Sequence, residues 1–422
     1  MLRIGIVGLS GFAANHWRGL EEAQRSGACQ IVAAAVIDPE RHTAALEALR
    51  GRGVTVFDSA PAMFHEMRGR MDAVTLPTPI HTHAELMIAA VQSGYHVFLE
   101  KPPCATIQEH DEMLAALKRS GRLCAVGFQA MWSQSMALLK LRMAEGAFGQ
   151  VSRITCAGGW IRRDEYYRQT HWRGRLRVGD SWVLDGTANN PMAHQIQSML
   201  YLATPAHRRL ATPTSVRAEL YAAHDITGED TCAMEIRTAE GPRIIFLATL
   251  CADDQFDPEI AILGDKAVAH RAYGGQVSIR YTDGQTERPV GDDAGRAEVE
   301  KFENFIAAAA AGELDMLQCH LEMCRPFTLA INAAFESSTR VHPIAPDFIR
   351  HEDRGSRRKT VIEGIDAAIP QAASQGKLFS DLELPWAVAT EPFDLAGYDH
   401  FPVRFAAGHA GETSRDGELP FP

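Results

Sequence analysis

Short apolar runs separated by helix-like stretches define the first 130 or so residues. A turn rich in Gly, Pro or polar residues follows most of these runs, which lie at residues 4–7, 31–37, 73–76, 97–99 and 123–126. In the stretch 82–93, which ends at Gly94, apolar positions recur at helical spacing. Alternating strands and helices of this length predict right-handed crossovers and a parallel, doubly wound α/β sheet, with ligands at the carboxyl ends of the strands.

A different pattern begins near residue 151. Runs rich in β-branched residues alternate with turns containing Gly, Pro and Asp, at residues 152–156, 216–221, 231–236, 244–250, 259–263 and 277–281. This pattern predicts a large antiparallel sheet. Residues 298–311 and 317–339 are predicted helices. Helices should cover one face of the sheet, and we expect the other face to be a subunit interface, because large open sheets rarely stay bare.

The first turn carries most of a dinucleotide-binding fingerprint. Gly8 and Ala13 fit the first and third positions of G-x-G-x-x-G/A, whereas Ser10 occupies the second position and Gly11 follows it. Gly11 can take over the close backbone approach to a pyrophosphate, which would lie at the N-terminus of the next helix. The predicted cofactor contacts in this turn are Gly8, Ser10, Gly11, Phe12 and Ala13. A plain β-α turn is the alternative.

Asp38 closes the second predicted strand, where a carboxylate can bind the ribose hydroxyls of NAD and repel the extra phosphate of NADP. Arg41 gives the opposite signal, because a guanidinium can pair with that phosphate. Between the two signals, the sequence favours NAD over NADP.

The most informative stretch is residues 94–102, where Glu100 and Lys101 stand between an apolar run and a proline. Burial at a strand end lowers the pKa of an amine toward neutral pH, so Lys101 is a candidate acid/base. The structural alternative is a strand end followed by a proline-fixed turn. Candidate cofactor contacts at the same predicted edge of the sheet are Pro77, Thr78, Pro79, Glu100 and Lys101.

Composition excludes several classes of protein. The 422 residues are 46% hydrophobic and 23% charged, and no apolar run has the eighteen or more residues that a membrane-spanning helix needs. A net charge of -11 without a dense basic stripe argues against nucleic acid as a partner. The eight cysteines form no Cys-x-x-Cys, so we expect reduced, buried thiols and no metal. The N-terminus lacks the features of a signal peptide, and we expect a cytoplasmic protein.

Three motifs carry a family resemblance: the turn at residues 8–13, Thr-Pro-x-x-x-His at 78–83 and Glu-Lys-Pro at 100–102. With these motifs the chain resembles the glucose-fructose oxidoreductase, inositol dehydrogenase and MocA family over roughly residues 1–340. The resemblance implies a Rossmann domain followed by an α/β domain with a large open antiparallel sheet. It implies that Lys101 contacts nicotinamide and the substrate hydroxyl, and that Thr78, Pro79 and His83 line the cofactor. It also implies a homodimer or homotetramer.

The second half of the family's site is an Asp-x-x-x-His on one helical face. Its counterpart here is the stretch 189–194, in which His194 matches the histidine and Asn190 stands where the family has aspartate. Asparagine can orient a hydroxyl but cannot take its proton. Asn189 is a further candidate for substrate binding, and Asp185 can approach from the preceding loop. A capped histidine at a helix start is the structural alternative for His194.

Residues 166–175 form a polar, aromatic and basic segment that suits a polyol ligand, because aromatic faces pack on sugar C–H groups and arginine donates to hydroxyls. The family often has Trp-Arg at this point, which Trp172 and Arg173 match. Tyr166 and His171 are further substrate-binding candidates, together with the neighbouring Tyr167. The alternative is a solvated loop or a subunit contact.

The predicted organisation has three parts. Residues 1–128 form the Rossmann domain, residues 129–342 the substrate-binding and oligomerisation domain, and residues 343–422 an extension that wraps the core. Trp386 should anchor the extension by burial, and a flexible tail should follow Gly408.

The sequence thus predicts an NAD(P)-dependent oxidoreductase that acts on a secondary hydroxyl of a sugar, sugar derivative or cyclitol, with Lys101 assisted by His194. Two alternatives stay open. One is a redox-neutral glycosidase or lyase that oxidises the sugar transiently, for which the missing aspartate at Asn190 leaves room. The other is a noncatalytic NAD-binding sensor, which would not need a proton-transfer pair.

Overall fold

Two large sheets organise the computed structural model of the chain, which describes residues 1–288, 291–292, 294–353 and 357–406. The first sheet has six strands, all parallel, in the order β3-β2-β1-β4-β5-β6. Its strands are β1 (Leu2–Val7), β2 (Cys29–Ala35), β3 (Thr55–Phe57), β4 (Ala73–Leu76), β5 (His96–Leu99) and β6 (Cys124–Val126). The predicted doubly wound parallel sheet is confirmed, with β3 as an additional edge strand that the apolar pattern did not reveal.

Helices cover both faces of this sheet: α1 (Ala13–Arg25), α2 (Thr43–Gly51), α3 (Ala60–Glu66), α4 (His83–Gln92) and α5 (Ile107–Ser120). The amphipathic α1 buries Trp17 and Leu20, which pack in one core cluster with strand residues such as Ile4. Helix α5 begins with a capping box, in which Thr106 and Glu109 satisfy each other's backbone N–H groups. The capping box explains why α5 begins at Ile107.

The second sheet is mixed rather than purely antiparallel. Its path runs β16-β15-β14-β13-β7-β12-β11-β10-β17, with β20 also pairing β10. The strands of this half of the chain are β7 (Val151–Ile161), β8 (Arg177–Val178), β9 (Ser181–Trp182), β10 (Pro213–Ala222), β11 (Thr231–Thr238), β12 (Arg243–Thr249), β13 (Cys251–Gly264), β14 (Ala267–Arg271), β15 (Val277–Tyr281), β16 (Thr286–Glu287), β17 (His342–Pro343), β18 (Ile349–Glu352), β19 (Lys359–Ile362) and β20 (Phe393–Asp394). Two neighbouring pairs are parallel, β7 with β12 and β10 with β17, because distant strands insert next to each other.

The remaining helices are α6 (Gln134–Ala144), α7 (Asp164–Arg168), α8 (Ala193–Leu202), α9 (Ala294–Ala311), α10 (Leu321–Ser338) and α11 (Ile365–Gln375). Helix α8 contacts β7, β12 and β13, and α10 contacts β10 most extensively. Helix α9 instead packs against α1 and β1 of the first sheet, where Phe302 and Phe305 contact the ring of Phe98. A segment from the predicted second domain therefore completes the core of the first.

The C-terminal extension covers the central part of the other sheet face. Helix α11 packs on β7, β12 and β13, and its Ile365 and Ile369 join a buried cluster with Ile245 and Leu247 of β12. The predicted burial of Trp386 is confirmed, with its ring 5.0 Å from that of Tyr221. The chain itself, rather than a second copy, therefore occupies this part of the face that we expected to be a subunit interface.

The end of the described chain is fixed to α10. The buried carboxylate of Glu336 accepts hydrogen bonds from the hydroxyl of Tyr398 and from the backbone N–H groups of residues 403–405. Phe401 packs on Trp182 of β9, at 5.0 Å between ring centroids. The flexible tail predicted after Gly408 lies outside the described residues.

Candidate active site

The carboxyl edge of the first sheet brings the predicted motifs together. Glu100 N donates to Leu76 O at 3.2 Å, and Gly127 N donates to Leu99 O at 2.8 Å. The ends of β4, β5 and β6 are therefore adjacent, as parallel strands require. The Glu100-Lys101 pair lies between the turn after β4, which contains Thr78, and the glycine after β6.

Glu100 is buried beneath this edge and is bonded to the protein on several sides. His16 Nε2 lies 2.9 Å from its Oε1, the backbone N–H of Lys101 donates to its Oε2 at 3.1 Å, and Lys301 Nζ lies 3.7 Å from Oε1. Burial disfavours its ionisation, but Lys301 and His16 outweigh that effect and lower the pKa of Glu100 to about 2. Glu100 therefore holds the Lys101 backbone and helices α1 and α9 in place.

Lys101 lies next to the loop that precedes α8. Its Nζ donates to Asn190 O at 2.8 Å and to Asn190 Oδ1 at 2.9 Å. Burial lowers the pKa of Lys101, while the charges of Glu100 and Asp185 act in the opposite direction. An ammonium carries three protons, so one is left for a ligand after these two bonds.

Asp185 supplies a carboxylate behind Asn190. Asn190 Nδ2 donates to Asp185 Oδ1 at 2.7 Å, and Gly174 N donates to Asp185 Oδ2 at 2.6 Å. Burial raises the pKa of Asp185 to about 6, against the opposing effect of these hydrogen bonds and of Lys101. The structure therefore connects Lys101, Asn190 and Asp185 in one hydrogen-bonded chain, and the sequence suggestion about Asp185 is confirmed.

A second buried carboxyl group supports the loop that presents Asp185. Glu229 accepts a hydrogen bond from Ala188 N at 2.8 Å, and burial raises its pKa to about 8. Gly186 lies against it, because a Cβ at that position would be 2.5 Å from Glu229 Oε1. The loop conformation thus depends on a glycine and on a carboxyl group that stays protonated at neutral pH.

His194 lies in the first turn of α8, with its ring 5.7 Å from that of Phe128. Burial and the charge of Lys101 lower its pKa to about 3, so the imidazole is neutral at physiological pH. Within the described residues, its Nδ1 is buried without a hydrogen-bond partner. A neutral imidazole can orient a hydroxyl group but is a weak base.

His83 links two loops of the edge. Its ring nitrogens lie 2.8 Å from Pro102 O and 2.7 Å from Thr78 O, so the protein itself occupies both of them. The predicted cofactor contact of His83 is therefore at most indirect, through the loops that it joins. Thr78 Oγ1, in contrast, is buried and lacks a hydrogen-bond partner in the part of the chain that the structure describes.

The β1–α1 turn has the backbone of a dinucleotide-binding loop. Gly8 (φ 99°) and Gly11 (φ 62°) have left-handed conformations, and a Cβ on Gly11 would meet no atom within 4 Å. Ser10 and Phe12 are exposed, and Ala13 begins α1 with its side chain buried. Open space at Gly11 and the unpartnered Thr78 hydroxyl fit a dinucleotide across the strand ends. Pro77 and Pro79 flank Thr78 and are half-buried.

Asp38 lies three residues beyond the end of β2, not directly at it. Its backbone is left-handed (φ 58°) and its side chain is exposed. The carboxylate is thus accessible beside the β1–α1 edge. The contact between Arg41 and Asp38 is through the backbone, where Arg41 N donates to Asp38 O at 3.1 Å.

The aromatic and basic segment adjoins Asp185. The Arg173 guanidinium stacks 4.4 Å from the ring centroid of Tyr166, and Trp172 packs against the main core. Burial raises the pKa of Tyr166 to about 12, and the negative charge of Asp185 contributes to this rise. His171 is exposed at the rim, 5.9 Å from the ring of His81.

Two outcomes depart from the sequence predictions. The amide of Asn189 is buried and donates to Leu184 O at 3.2 Å, so it stabilises its own loop and is not free for a substrate. Arg162, just after β7, was missed, although its guanidinium lies 5.2 Å from the ring centroid of Tyr166. Arg162 lies only four residues before Tyr166, just outside the segment 166–175, and no local motif marks it.

Comparison with known proteins agrees with this geometry. Residues 2–128 match the model of the Gfo/Idh/MocA oxidoreductase family with an NAD-binding Rossmann fold, and residues 136–270 match the GFO/IDH/MocA C-terminal domain. The chain belongs to the Gfo/Idh/MocA family. Its first sheet is accordingly an NAD-binding Rossmann domain, and the predicted fold class is confirmed.

Relatives in the family differ in how much of the chain they share. The inositol 2-dehydrogenase of Azotobacter vinelandii is 24% identical over 347 residues, which cover 81% of this chain and 96% of that protein. The uncharacterized oxidoreductase YdgJ of Escherichia coli is 31% identical over 134 residues, but this match covers only 32% of this chain and 34% of YdgJ.

Solved structures of the family share the fold. The WlbA dehydrogenase of Bordetella pertussis, in complex with NADH and UDP-GlcNAcA, has a TM-score of 0.65 at 23% identity and covers 80% of this chain and 96% of its own. Levoglucosan dehydrogenase in complex with NADH and L-sorbose has a TM-score of 0.67 at 20% identity, with coverages of 80% and 96%. About a fifth of the present chain therefore lies outside each alignment.

One cluster of metal-ligand types exists among the described residues. His224 Nδ1 lies 2.8 Å from Asp230 Oδ2 and 3.3 Å from Cys251 Sγ, all buried. Asp230 also accepts hydrogen bonds from the backbone N–H groups of Ala223 and His224. The three groups thus bond one another and the backbone, and the absence of a metal stays a prediction. All eight cysteines are free and buried, as expected.

Among the described residues, no helix is both long and apolar enough to span a bilayer.

Proposed function

We propose that this member of the Gfo/Idh/MocA family is an NAD-dependent dehydrogenase that oxidises a secondary hydroxyl of a sugar, sugar derivative or cyclitol. The observation that carries the proposal is the position of Lys101 at the carboxyl edge of the Rossmann sheet, with its amine held by Asn190. The edge is where a doubly wound sheet binds its ligand.

Proton transfer is the task that this arrangement suits. Burial lowers the pKa of Lys101, which favours the neutral amine that can accept the proton of a substrate hydroxyl. The ammonium then returns a proton when a carbonyl group is reduced. The nicotinamide dinucleotide, when bound, supplies the hydride chemistry. Gly8, Gly11 and Thr78 would hold the dinucleotide at the strand ends.

Asp185 supplies the negative charge that Asn190 cannot. Its carboxylate bonds Asn190 Nδ2, and Asn190 Oδ1 in turn accepts from Lys101 Nζ. The carboxylate therefore stabilises the ammonium form of Lys101 through an intervening amide rather than by contact. Neutral His194 orients the hydroxyl group, since its pKa of about 3 is too low for it to accept the proton.

The choice of NAD over NADP rests on Asp38. Its exposed carboxylate beyond β2 would repel a 2′-phosphate and accept hydrogen bonds from ribose hydroxyls. Two relatives point the same way: levoglucosan dehydrogenase and WlbA were solved with NADH. The substrate class follows the inositol and levoglucosan dehydrogenases among the relatives.

The redox-neutral alternative loses its main support. It was favoured by the lack of a carboxylate at Asn190, and Asp185 fills that role from the loop before α8. A noncatalytic sensor would not require the hydrogen-bonded chain of Lys101, Asn190 and Asp185.

The test is an assay at 340 nm with the purified protein, NAD or NADP, and a panel of hexoses, cyclitols, sugar acids and glycosides. Products are followed by mass spectrometry. We expect net NADH with one class of secondary alcohol and at least tenfold lower turnover with NADP. Conversion of a glycoside without net NADH would support the redox-neutral cycle, and binding of NAD without any turnover across the panel would support the sensor.

A further inference from the structure

Two guanidinium groups flank the candidate active site without a carboxylate partner. The guanidiniums of Arg162 and Arg173 lie 5.2 Å and 4.4 Å from the centroid of the same ring, that of Tyr166. The Nε atoms of both arginines are buried, and among the described residues they have no hydrogen-bond acceptor. Neither guanidinium forms an ion pair within 4.0 Å in that part of the chain, which distinguishes them from the paired arginines around them.

The contacts that these arginines do make are with neutral groups. Arg162 Nη1 donates to Ile161 O at 3.4 Å, and its guanidinium also lies 5.1 Å from the ring centroid of Trp160. Arg173 Nη1 donates to Tyr166 O at 3.4 Å and to the side chain of Gln169. Aromatic and amide groups hold the two guanidiniums in position, and neither forms a direct ion pair among the described residues.

The charges of both arginines and of Asp185 act on Tyr166. The positive charges of Arg173 and Arg162 oppose the rise in the pKa of Tyr166 that burial and Asp185 cause. Arg173 also lies one residue before Gly174, whose N–H donates to Asp185 Oδ2 at 2.6 Å. The backbone next to Arg173 is thus linked to the proposed acid/base Lys101 by the hydrogen bonds of Asp185 and Asn190.

The unpaired guanidiniums indicate the charge of the group that would bind them. Arg162 and Arg173 are cationic, and among the described residues neither lies within 4.0 Å of a carboxylate oxygen. An anion is therefore the ligand that would satisfy them. A guanidinium binds planar, two-oxygen anions with paired N–H groups, and a carboxylate has that shape and a single charge.

We propose that the substrate is a sugar acid, whose carboxylate binds Arg162 and Arg173 while its secondary hydroxyl faces Lys101. This inference rests on the proposed dehydrogenase function and narrows its substrate class. Tyr166 forms the surface between the two guanidiniums, so its ring faces the carbon atoms next to the carboxylate. A neutral hexose or cyclitol would leave the guanidinium groups of Arg162 and Arg173 without an anionic partner.

The experiment compares hexuronates and aldonates with their neutral hexose and alditol counterparts, using the full-length protein and NAD. We expect kcat/KM to be at least about 100-fold higher for the best acid than for its neutral counterpart. R162Q and R173Q should each lower the value for the acid about 10- to 100-fold and change the neutral compound less than about threefold. R168Q is the matched control, because Arg168 is exposed and lies near Asp164 instead.

Equal activity on acid and neutral compounds, or equal losses on both in R162Q and R173Q, would overturn the inference. Preference for a hexose phosphate over every sugar acid would also overturn it. Calorimetric titration of the NADH-loaded protein with the same compounds separates this inference from the proposed function. Tight binding of the acid that R162Q abolishes, without any NAD reduction, would retain the arginine site and reject the dehydrogenase.

Discussion

At the residue scale, the site depends on how one amine is held between charges of both signs. Burial favours the neutral form of Lys101, and Glu100 and Asp185 favour the ammonium. Asn190 transmits the effect of Asp185 because its amide accepts from Lys101 and donates to the carboxylate. Changing Asp185 or Asn190 should therefore change the proton affinity of Lys101 in a predictable direction.

Replacing Asp185 and Asn190 should move the pH profile of substrate oxidation in opposite directions. D185N removes a charge that raises the pKa of Lys101, so the profile should rise at a pH lower by about one unit. N190D places a carboxylate in contact with Lys101 and should move the rise upward by a similar amount. The measurement is kcat/KM against pH for NAD reduction. D180N, at an exposed position in the same segment, is the control, and shifts of the same sign would contradict the account.

The buried Asp185 should also lower the free energy of unfolding of the protein at neutral pH. Its pKa is raised from the usual 3.8 to about 6, so the folded state loses stability as the pH rises through about 6. D185N avoids this loss, and its free energy of unfolding should exceed that of the wild type by about 3 kcal/mol at pH 7.5 but not at pH 4. Denaturant unfolding at both pH values measures this difference. A less stable D185N protein at pH 7.5 would show that Asp185 is held by more than its hydrogen bonds.

At the scale of elements, the strand ends are packed closely enough that one methyl group would disturb them. A Cβ at Gly127, just after β6, would lie 2.6 Å from Glu100 Oε1. G127A should therefore displace Glu100 from His16 and with it the backbone of Lys101, destabilising the protein by about 1 to 3 kcal/mol and lowering turnover. The measurements are the thermal midpoint and kcat. G51A is the control because a Cβ at Gly51 meets nothing within 4 Å, and equal behaviour of the two variants would be inconsistent with this packing.

The elements also show what the sequence could reveal. The turn after β1 and the motif after β5 lie in single stretches of chain, and their place at one edge follows from the parallel alternation of strands and helices. Strand β3 has three residues, all at least partly exposed, so it lacks the apolar run that marks its neighbours. Asp185 reaches Asn190 through the course of an irregular loop, whose conformation no short-range pattern specifies.

At the scale of the whole molecule, the extension changes which surfaces are free. Helix α11 and the segments around it bury the apolar centre of the second sheet, including Ile245, Leu247 and Tyr221. Polar contacts reinforce this cover: Ser380 donates to the buried Glu219, and Arg217 pairs with Asp381 at 2.9 Å. A homodimer or homotetramer stays a prediction, and it would use surfaces other than the part of the sheet that the extension covers.

A charged residue placed between α11 and the second sheet should detach the extension from the sheet. Ile369 of α11 is fully buried against the sheet, so I369D should destabilise the protein by roughly 3 kcal/mol or more and expose an apolar face. We expect the variant to elute at a higher mass than the wild type in size-exclusion chromatography with light scattering. Q371D changes an exposed position on the same helix and should behave like the wild type. If I369D kept the wild-type mass and thermal midpoint, the extension would not be the cover described above.

The most direct test of the whole account is the rate of the first turnover of K101M with the substrate that the panel identifies. Lys101 is proposed to take the proton as the hydride leaves, so K101M should still bind NADH but form NADH at least about 100-fold more slowly in stopped-flow absorbance at 340 nm. A K101M protein with intact NADH binding and a wild-type first-turnover rate would contradict the account.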